Sequence, residues 1–194
     1  MQLISRRRFR QAAFICGTLA ALVLATGGGL YAYWQAGGNF HEVEAGRFYR
    51  SAQLDPAELD RVVKRYGIRS VLNLRGNNTG TPWYDGEVVT SAADGVAHFD
   101  YPISAENPVT VRQMQEILAI LSTAPKPVLV HCQAGSDRTG LVSALYRLSR
   151  GADVATAGEQ LSLMHYGHFP YLWSKTQAMD DSFLAYTATL KPTL

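Results

Sequence analysis

Apolar and polar positions follow helix-like and strand-like rhythms along most of this chain, after an opening stretch that has no rhythm. From Ala12 to Trp34 no side chain is charged. At about 1.5 Å of rise per residue such a helix spans roughly 30 Å, the thickness of a bilayer's hydrocarbon core. Gly37, Gly38 and Asn39 then read as a short linker. Asp55-Pro56-Ala57-Glu58 has the make-up of a helix start: an N-cap acid, proline at the first helical position and a glutamate in the first turn. Leu59, Val62, Val63 and Tyr66 continue it with helical spacing, and Gly67 stops it. Ile68 to Leu74 reads as a strand ending at Arg75-Gly76, followed by a polar loop over 76–82. The segment 83–93 fits neither rhythm cleanly and a short helix is one reading of it; His98 to Ile103 is a second strand. Val111, Met114, Ile117, Leu118 and Leu121 mark one face of a helix between Pro108 and Pro125. Val128-Leu129-Val130 is a short continuous apolar run, as expected of a strand buried on both faces. Leu141, Val142, Leu145 and Leu148 then repeat helically up to Gly151, and two further helices are expected near 153–165 and 175–189.

Strands separated by helices imply an α/β fold: a small, largely parallel central sheet flanked by helices, preceded by one transmembrane helix. The expected division is an N-terminal segment, 1–36, and a working domain, 37–194. The chain has 194 residues, 47% apolar and 18% charged, enough for one domain with its own core. Its formal charge of +2 comes from one end. Arg6, Arg7, Arg8 and Arg10 precede residue 35 with no acid to offset them, so removing those four charges leaves −2 for the rest. No basic run remains that would build a nucleic-acid face. The two cysteines, Cys16 and Cys132, lie in unlike settings, which rules out a disulfide framework.

Four arginines directly before the apolar run place the N-terminus in the cytoplasm and everything after Trp34 across the membrane. Tyr31, Tyr33 and Trp34 suit an interfacial aromatic belt. Ser5-Arg6-Arg7-Arg8-Phe9-Arg10 also resembles the twin-arginine export signal of bacteria, and Val23-Leu24-Ala25 has the small residues of a cleavage site. The segment is therefore expected to be a single-pass inner-membrane anchor with a periplasmic working domain, or else a twin-arginine-like export signal.

The chemistry concentrates in Val130-His131-Cys132-Gln133-Ala134-Gly135-Ser136-Asp137-Arg138-Thr139-Gly140. Cys132 ends a buried strand and the next helix begins about four residues later. The backbone of Gln133, Ala134, Gly135, Ser136 and Asp137 would wrap around an anion and aim its N–H groups inward. Those donors, the helix N-terminus and Arg138 all favour negative charge at one place. A thiolate there is a strong nucleophile able to accept a phosphoryl group. Arg138 on the first helical turn can hold two phosphate oxygens with its planar fork. Positioning and charge stabilisation carry most of phosphoryl transfer, so no metal is required, and no zinc spacing or cofactor motif occurs. Thr139 is expected to donate a hydrogen bond to the sulfur, and His131 to order the loop through the backbone.

His-Cys, five residues, then Arg-Thr-Gly resembles the signature of the protein tyrosine and dual-specificity phosphatase superfamily. Asp137 before the arginine resembles bacterial and lipid-acting members. Phe48-Tyr49-Arg50-Ser51-Ala52-Gln53-Leu54 and Gly67-Ile68-Arg69-Ser70-Val71-Leu72-Asn73-Leu74-Arg75-Gly76 are similar to the opening of small bacterial dual-specificity-type phosphatases. The resemblance covers roughly 40 to 150. It implies a phosphotyrosine phosphatase-like fold and hydrolysis of phosphomonoesters, on phosphorylated proteins or small phosphoesters, through a phosphocysteine intermediate.

A proton donor is also needed. The superfamily often takes an aspartate from a loop before the signature, but the matching Ile103-Ser104-Ala105-Glu106-Asn107-Pro108 offers only Glu106. Asp137 is the equal alternative, with helix capping as its plain reading. Asp85 and Glu87 trail as proton donors, their plainer reading being solvated loop acids; Asp100 reads as structural, and Arg75 as facing the site or forming a surface ion pair. His165 and His168 read as packing residues. Two other readings stand beside hydrolysis: a phosphate-binding pseudophosphatase without turnover, and sulfur transfer on a rhodanese-like fold, against which Arg138-Thr139-Gly140 speaks. Lipid-linked and sugar phosphates stay open as substrates; uncharged Gln133 and Ser136 give the loop none of the extra cations a highly phosphorylated inositide would demand.

Overall fold

The computed structural model describes residues 6–171 and 174–190. The chain divides into two compact units, Met1–Ala36 and Gly37–Leu194. The first is one helix, α1 (Arg6–Ala36). Within it Arg8–Gly29, 22 residues with a mean hydropathy of 1.7, is long and apolar enough to cross a membrane; a signal sequence meets the same criterion. The side chains of Tyr31, Tyr33 and Trp34, where an aromatic belt is expected, lie outside the described residues.

The second unit is built around a sheet of five strands: β1 (His41–Glu44), β2 (Phe48–Ser51), β3 (Ser70–Asn73), β4 (Ala97–Asp100) and β5 (Val128–His131). Their spatial order is β1-β2-β5-β3-β4. β1 runs antiparallel to β2 at the edge, and the other neighbours are parallel. The strand expected over 68–74 is the shorter β3, and that over 98–103 is β4. β1 and β2 carried no strand signal of their own, because β2 buries an arginine and a serine among its four residues, Phe48-Tyr49-Arg50-Ser51.

The helices follow their sequence signals. In α2 (Pro56–Tyr66) the Asp55 side chain accepts from the Glu58 N–H and Gly67 closes the end at φ 64°. The ambiguous 83–93 segment is a full helix, α3 (Pro82–Ala93), with proline in its first turn. α4 (Val111–Thr123) opens with a capping box between Thr110 and Gln113. α5 (Asp137–Ser149) leaves directly from the loop after β5. The helix expected near 153–165 is interrupted: α6 (Val154–Gly158), a 3-10 turn (Glu159–Leu161) and α7 (Leu163–Tyr166) replace it. Ser162 breaks the run with an extended backbone, φ −97° and ψ 131°, and its hydroxyl accepts from the His165 N–H. α8 (Gln177–Thr187) completes the unit.

Strand alternation sorts the core into two faces. Phe48, Leu72, Val128 and Val130 point to one side and meet Met114 and Ile117 of α4, Leu141 and Leu145 of α5, and Met179 of α8. Tyr49, Val71 and Leu129 point to the other and meet Leu59, Val62 and Val63 of α2. Register aligns the parallel strands so that Ser51, His131, Asn73 and Asp100 end in one row. In open α/β sheets the edge beyond the strands' carboxyl ends is where ligands bind, and Cys132 is the first residue past it.

Candidate active site

Between Cys132 and α5 the chain makes a tight turn whose carbonyls all have partners on its outer side. Gln133 O accepts from the Gln53 N–H at 3.1 Å. Ala134 O accepts from Asn39 Nδ2 at 2.9 Å. Gly135 O and Ser136 O accept from Arg50 Nη2 at 2.8 and 3.3 Å. In a trans peptide the N–H of the next residue points opposite to each carbonyl. Four outward carbonyls therefore turn the amides of Ala134, Gly135, Ser136 and Asp137 to the concave side, where the chain curls from Cys132 to Arg138. Gly135 is required there. It has φ +74°, and a Cβ on it would stand 2.5 Å from Ala52 N and 2.6 Å from the Ser51 carbonyl carbon.

Arg50 is the strut of this arrangement. It has no exposed surface, although arginine is almost never fully buried unless its donors are met. Nη1 donates to the Gln160 backbone and side-chain oxygens, both at 2.8 Å, and its plane lies 3.7 Å from the centre of the Tyr166 ring. Burial pulls its pKa down to about 10, with Tyr166, Cys132 and Asp137 acting in the opposite direction, so it remains a cation at neutral pH. Arg50 and Gln53 lie in the upstream stretch Phe48 to Leu54 that resembles the family, but no local pattern marks them as loop supports, and Asn39 reads from sequence only as linker.

Cys132 is 2% exposed. Arg138 folds back toward the strand ends, its Nη1 3.4 Å from both Leu74 O and Ile103 O, while its buried Nε has no protein partner. That leaves a guanidinium edge for an oxyanion. Thr139 Oγ1 is buried without a partner, so the hydrogen bond to sulfur expected for it is not formed. His131 does bond backbone, with Nδ1 3.2 Å from Cys132 O. Its other nitrogen reaches Glu87, which also takes His98 Nε2 at 2.8 Å. Glu87 is thus no solvated loop acid: α3 carries it inward, and it is 3% exposed. Burial would raise its pKa, but the two histidines outweigh that and hold it at about 2. Asp85 does stay at the surface, accepting from the Gly80 N–H, and Asp100 is structural, taking Asn73 Nδ2 and the Tyr84 hydroxyl.

The two candidate proton donors sit differently. Asp137 does not cap α5; it is the first helical residue, and its carboxylate accepts from His168 Nδ1 at 2.7 Å. His168 has no exposed surface and gives its other nitrogen to Asp180 of α8 at 2.8 Å. Burial opposes its charge, yet the two carboxylates prevail and raise its pKa to about 9. His168 is therefore a buried ion-paired cation rather than plain packing. His165 bonds to Ser162, and its ring lies 5.9 Å from that of Tyr166. Glu106 lies on the exposed loop that starts at Ile103, paired with Lys175 at 3.0 Å. Among the described residues no group of three or more His, Cys, Asp or Glu side chains could hold a metal ion.

Comparison with known proteins agrees with this geometry. Among curated proteins none matches the chain. In solved structures the fold is similar to TpbA of P. aeruginosa, with a TM-score of 0.60 and 22% identity over 78% of this chain and 92% of that one. It is similar to Tk-PTP in its active form, with a TM-score of 0.61 and 22% identity over 78% and 97%. The core catalytic domain of the PP-IP phosphatase SIW14 from S. cerevisiae matches with a TM-score of 0.60 and 20% identity over 73% and 83%. At such identities the likeness establishes the fold. The profile of the tyrosine phosphatase family matches residues 28–159, a span that runs through the strand-end row, the loop around Cys132 and all of α5, and the chain belongs to that family.

Proposed function

We propose that the protein hydrolyses phosphomonoesters through a phosphocysteine intermediate on Cys132. The observation that carries this reading is the set of outward carbonyls at Gln133, Ala134, Gly135 and Ser136, which aims four amides at one point beside Cys132 and Arg138. Amides fixed in advance stabilise the equatorial oxygens of a transferring phosphoryl group without reorganising during the reaction. In the first step the Cys132 thiolate bonds to phosphorus and the phosphorus–oxygen bond to the leaving group breaks, with a proton delivered to that oxygen. In the second, water attacks phosphorus, the sulfur–phosphorus bond breaks, and phosphate departs.

Asp137 is held by a cationic histidine, a contact that ties the start of α5 through His168 to Asp180 of α8. Glu106, exposed on the loop beside Arg138's carbonyl partner Ile103, is in this reading the proton donor. The substrates proposed are phosphotyrosine and phosphoserine or phosphothreonine proteins, met on the far side of the membrane that α1 crosses.

The test is hydrolysis of aryl phosphates of graded leaving-group quality by the full chain in detergent. Wild type turns over and Cys132→Ser does not. Glu106→Gln loses most for the poorest leaving groups, whereas Asp137→Asn loses about equally for all. Equal inactivity of wild type and Cys132→Ser, with phosphate still bound, would make the protein a phosphate-binding pseudophosphatase. Turnover confined to lipid-linked or sugar phosphates would replace the protein substrates.

A further inference from the structure

We propose that Arg75, laid on Trp83 and tied to Gln53, is a second anion-binding position beside the phosphate loop, selecting substrates that carry another anionic group close to the scissile phosphate. This deepens the phosphoester reading and rests on it. The position follows from the sheet. β3 pairs with β5 up to Asn73 and His131, and the Leu74 N–H still donates to His131 O at 2.9 Å. By that register Leu74 comes beside Cys132, and Arg75, one residue further, leaves the sheet beside Gln133 at the start of the phosphate loop. Its backbone is set by the Asn73 side chain, whose Oδ1 accepts from the Arg75 N–H at 2.8 Å.

The side chain is held as carefully as a binding residue needs. Its guanidinium lies 3.8 Å from the centre of the Trp83 ring, near the start of α3. Gln53 Oε1 accepts from Nη1, and the backbone N–H of Gln53 is the donor that holds Gln133 O. One residue thus fixes both the phosphate loop and Arg75. Stacking uses the face of a guanidinium and leaves its edge donors for an in-plane, bidentate anion. Among the described residues no carboxylate forms an ion pair with Arg75, unlike Arg47, Arg61, Arg112 and Arg150.

Its electrostatic setting agrees with that position. Burial lowers its pKa first, then the like charge of Arg138, while the charge of Cys132 works the other way. Arg75 thus senses both the Arg138 charge and that of Cys132. Arg50, another cation that senses Cys132, spends its donors on protein oxygens. Arg75 is only partly buried and keeps donors for a ligand. The phosphate loop contributes no cation besides Arg138, and the end of β3 supplies the missing one.

Inorganic phosphate and inorganic pyrophosphate, which differ by one linked anionic group, read the second position directly. Both are titrated calorimetrically into the full-length Cys132→Ser chain in detergent, with and without Arg75→Ala, Arg75→Lys or Trp83→Ala. Pyrophosphate is expected to bind at least about tenfold tighter than phosphate when Arg75 is present, the scale of a charge-assisted contact. Arg75→Ala brings that ratio close to one, and Arg75→Lys retains part of it. Phosphate binding by the Arg75→Ala chain shows that the loop is still folded. An unchanged ratio in that chain overturns this inference alone; no binding of either anion to the parent chain overturns the phosphoester reading and this one together. Turnover by the chain with Cys132 intact then identifies the source of the second anion. Selective loss on a vicinal bisphosphate of a polyol points to a phosphoryl group, and selective loss on a phosphotyrosyl peptide flanked by Asp, relative to Ala, points to a carboxylate. Loss on neither contradicts the inference.

Discussion

Arg50 shows how much of the site depends on groups that never meet a substrate. Its two terminal nitrogens satisfy four oxygens, two of them in the phosphate loop. Lysine cannot reproduce that fork. Arg50→Lys is expected to cost about 1–3 kcal/mol for each carbonyl left buried without a donor, and to lower kcat/KM far more than a surface change would; denaturant melts and aryl phosphate kinetics check both. Gly135→Ala is expected to be worse for activity, because a methyl group 2.5 Å from Ala52 N must push the loop off Ser51 and Ala52. His168 gives a pH signature. Its folded pKa of about 9 lies above the ordinary histidine value of 6.5, so its stabilisation is full below about 6.5 and fades as pH rises through about 9. The stability gap between wild type and His168→Gln should therefore be widest in mild acid and close above about pH 9. A gap independent of pH would remove the ion-pair account. The sequence could not disclose this trio, since Asp137, His168 and Asp180 meet only through the packing of α8 against α5.

At the scale of elements, local chemistry was legible wherever a cap or a period spoke for itself. Asp55 with Pro56, Gly67, and the Thr110–Gln113 box mark real helix ends. Asp55→Ala should cost about 1 kcal/mol, the usual loss for such a cap, as a shift in the urea midpoint. β5 was readable because every one of its residues is buried between β2 and β3. β2 was not, because a buried arginine imitates a surface position until Gln160 and Tyr166 are known to receive it. α3 was obscured in the same way: its inward residues, Tyr84, Glu87 and Ser91, are mostly polar, so its helical face carries no apolar stripe. Leu145 of α5, with no exposed surface against the sheet, should cost about 2–5 kcal/mol on change to Ala. That loss should reach the site as well, because α5 carries both Asp137 and Arg138.

For the whole molecule, the charge pattern and the apolar run divide the chain into an N-terminal helix and a unit that holds the sheet and its site. If α1 anchors the protein with its arginines in the cytoplasm, a reporter fused after residue 194 should be active only when it folds outside the cytoplasm. Activity on the cytoplasmic side would reverse the orientation. The row of strand ends, the three tethers on the loop and the helix that carries Arg138 come from five separate parts of the sequence, and in the proposed reading they form one small anion cradle. The most direct test of the account is an acid-quenched reaction of the full chain with an aryl phosphate, followed by mass spectrometry of its peptides. A phosphoryl group on the peptide containing Cys132, absent in Cys132→Ser, is the predicted result. Substrate turnover with that peptide unmodified, and undiminished in Cys132→Ser, would contradict it.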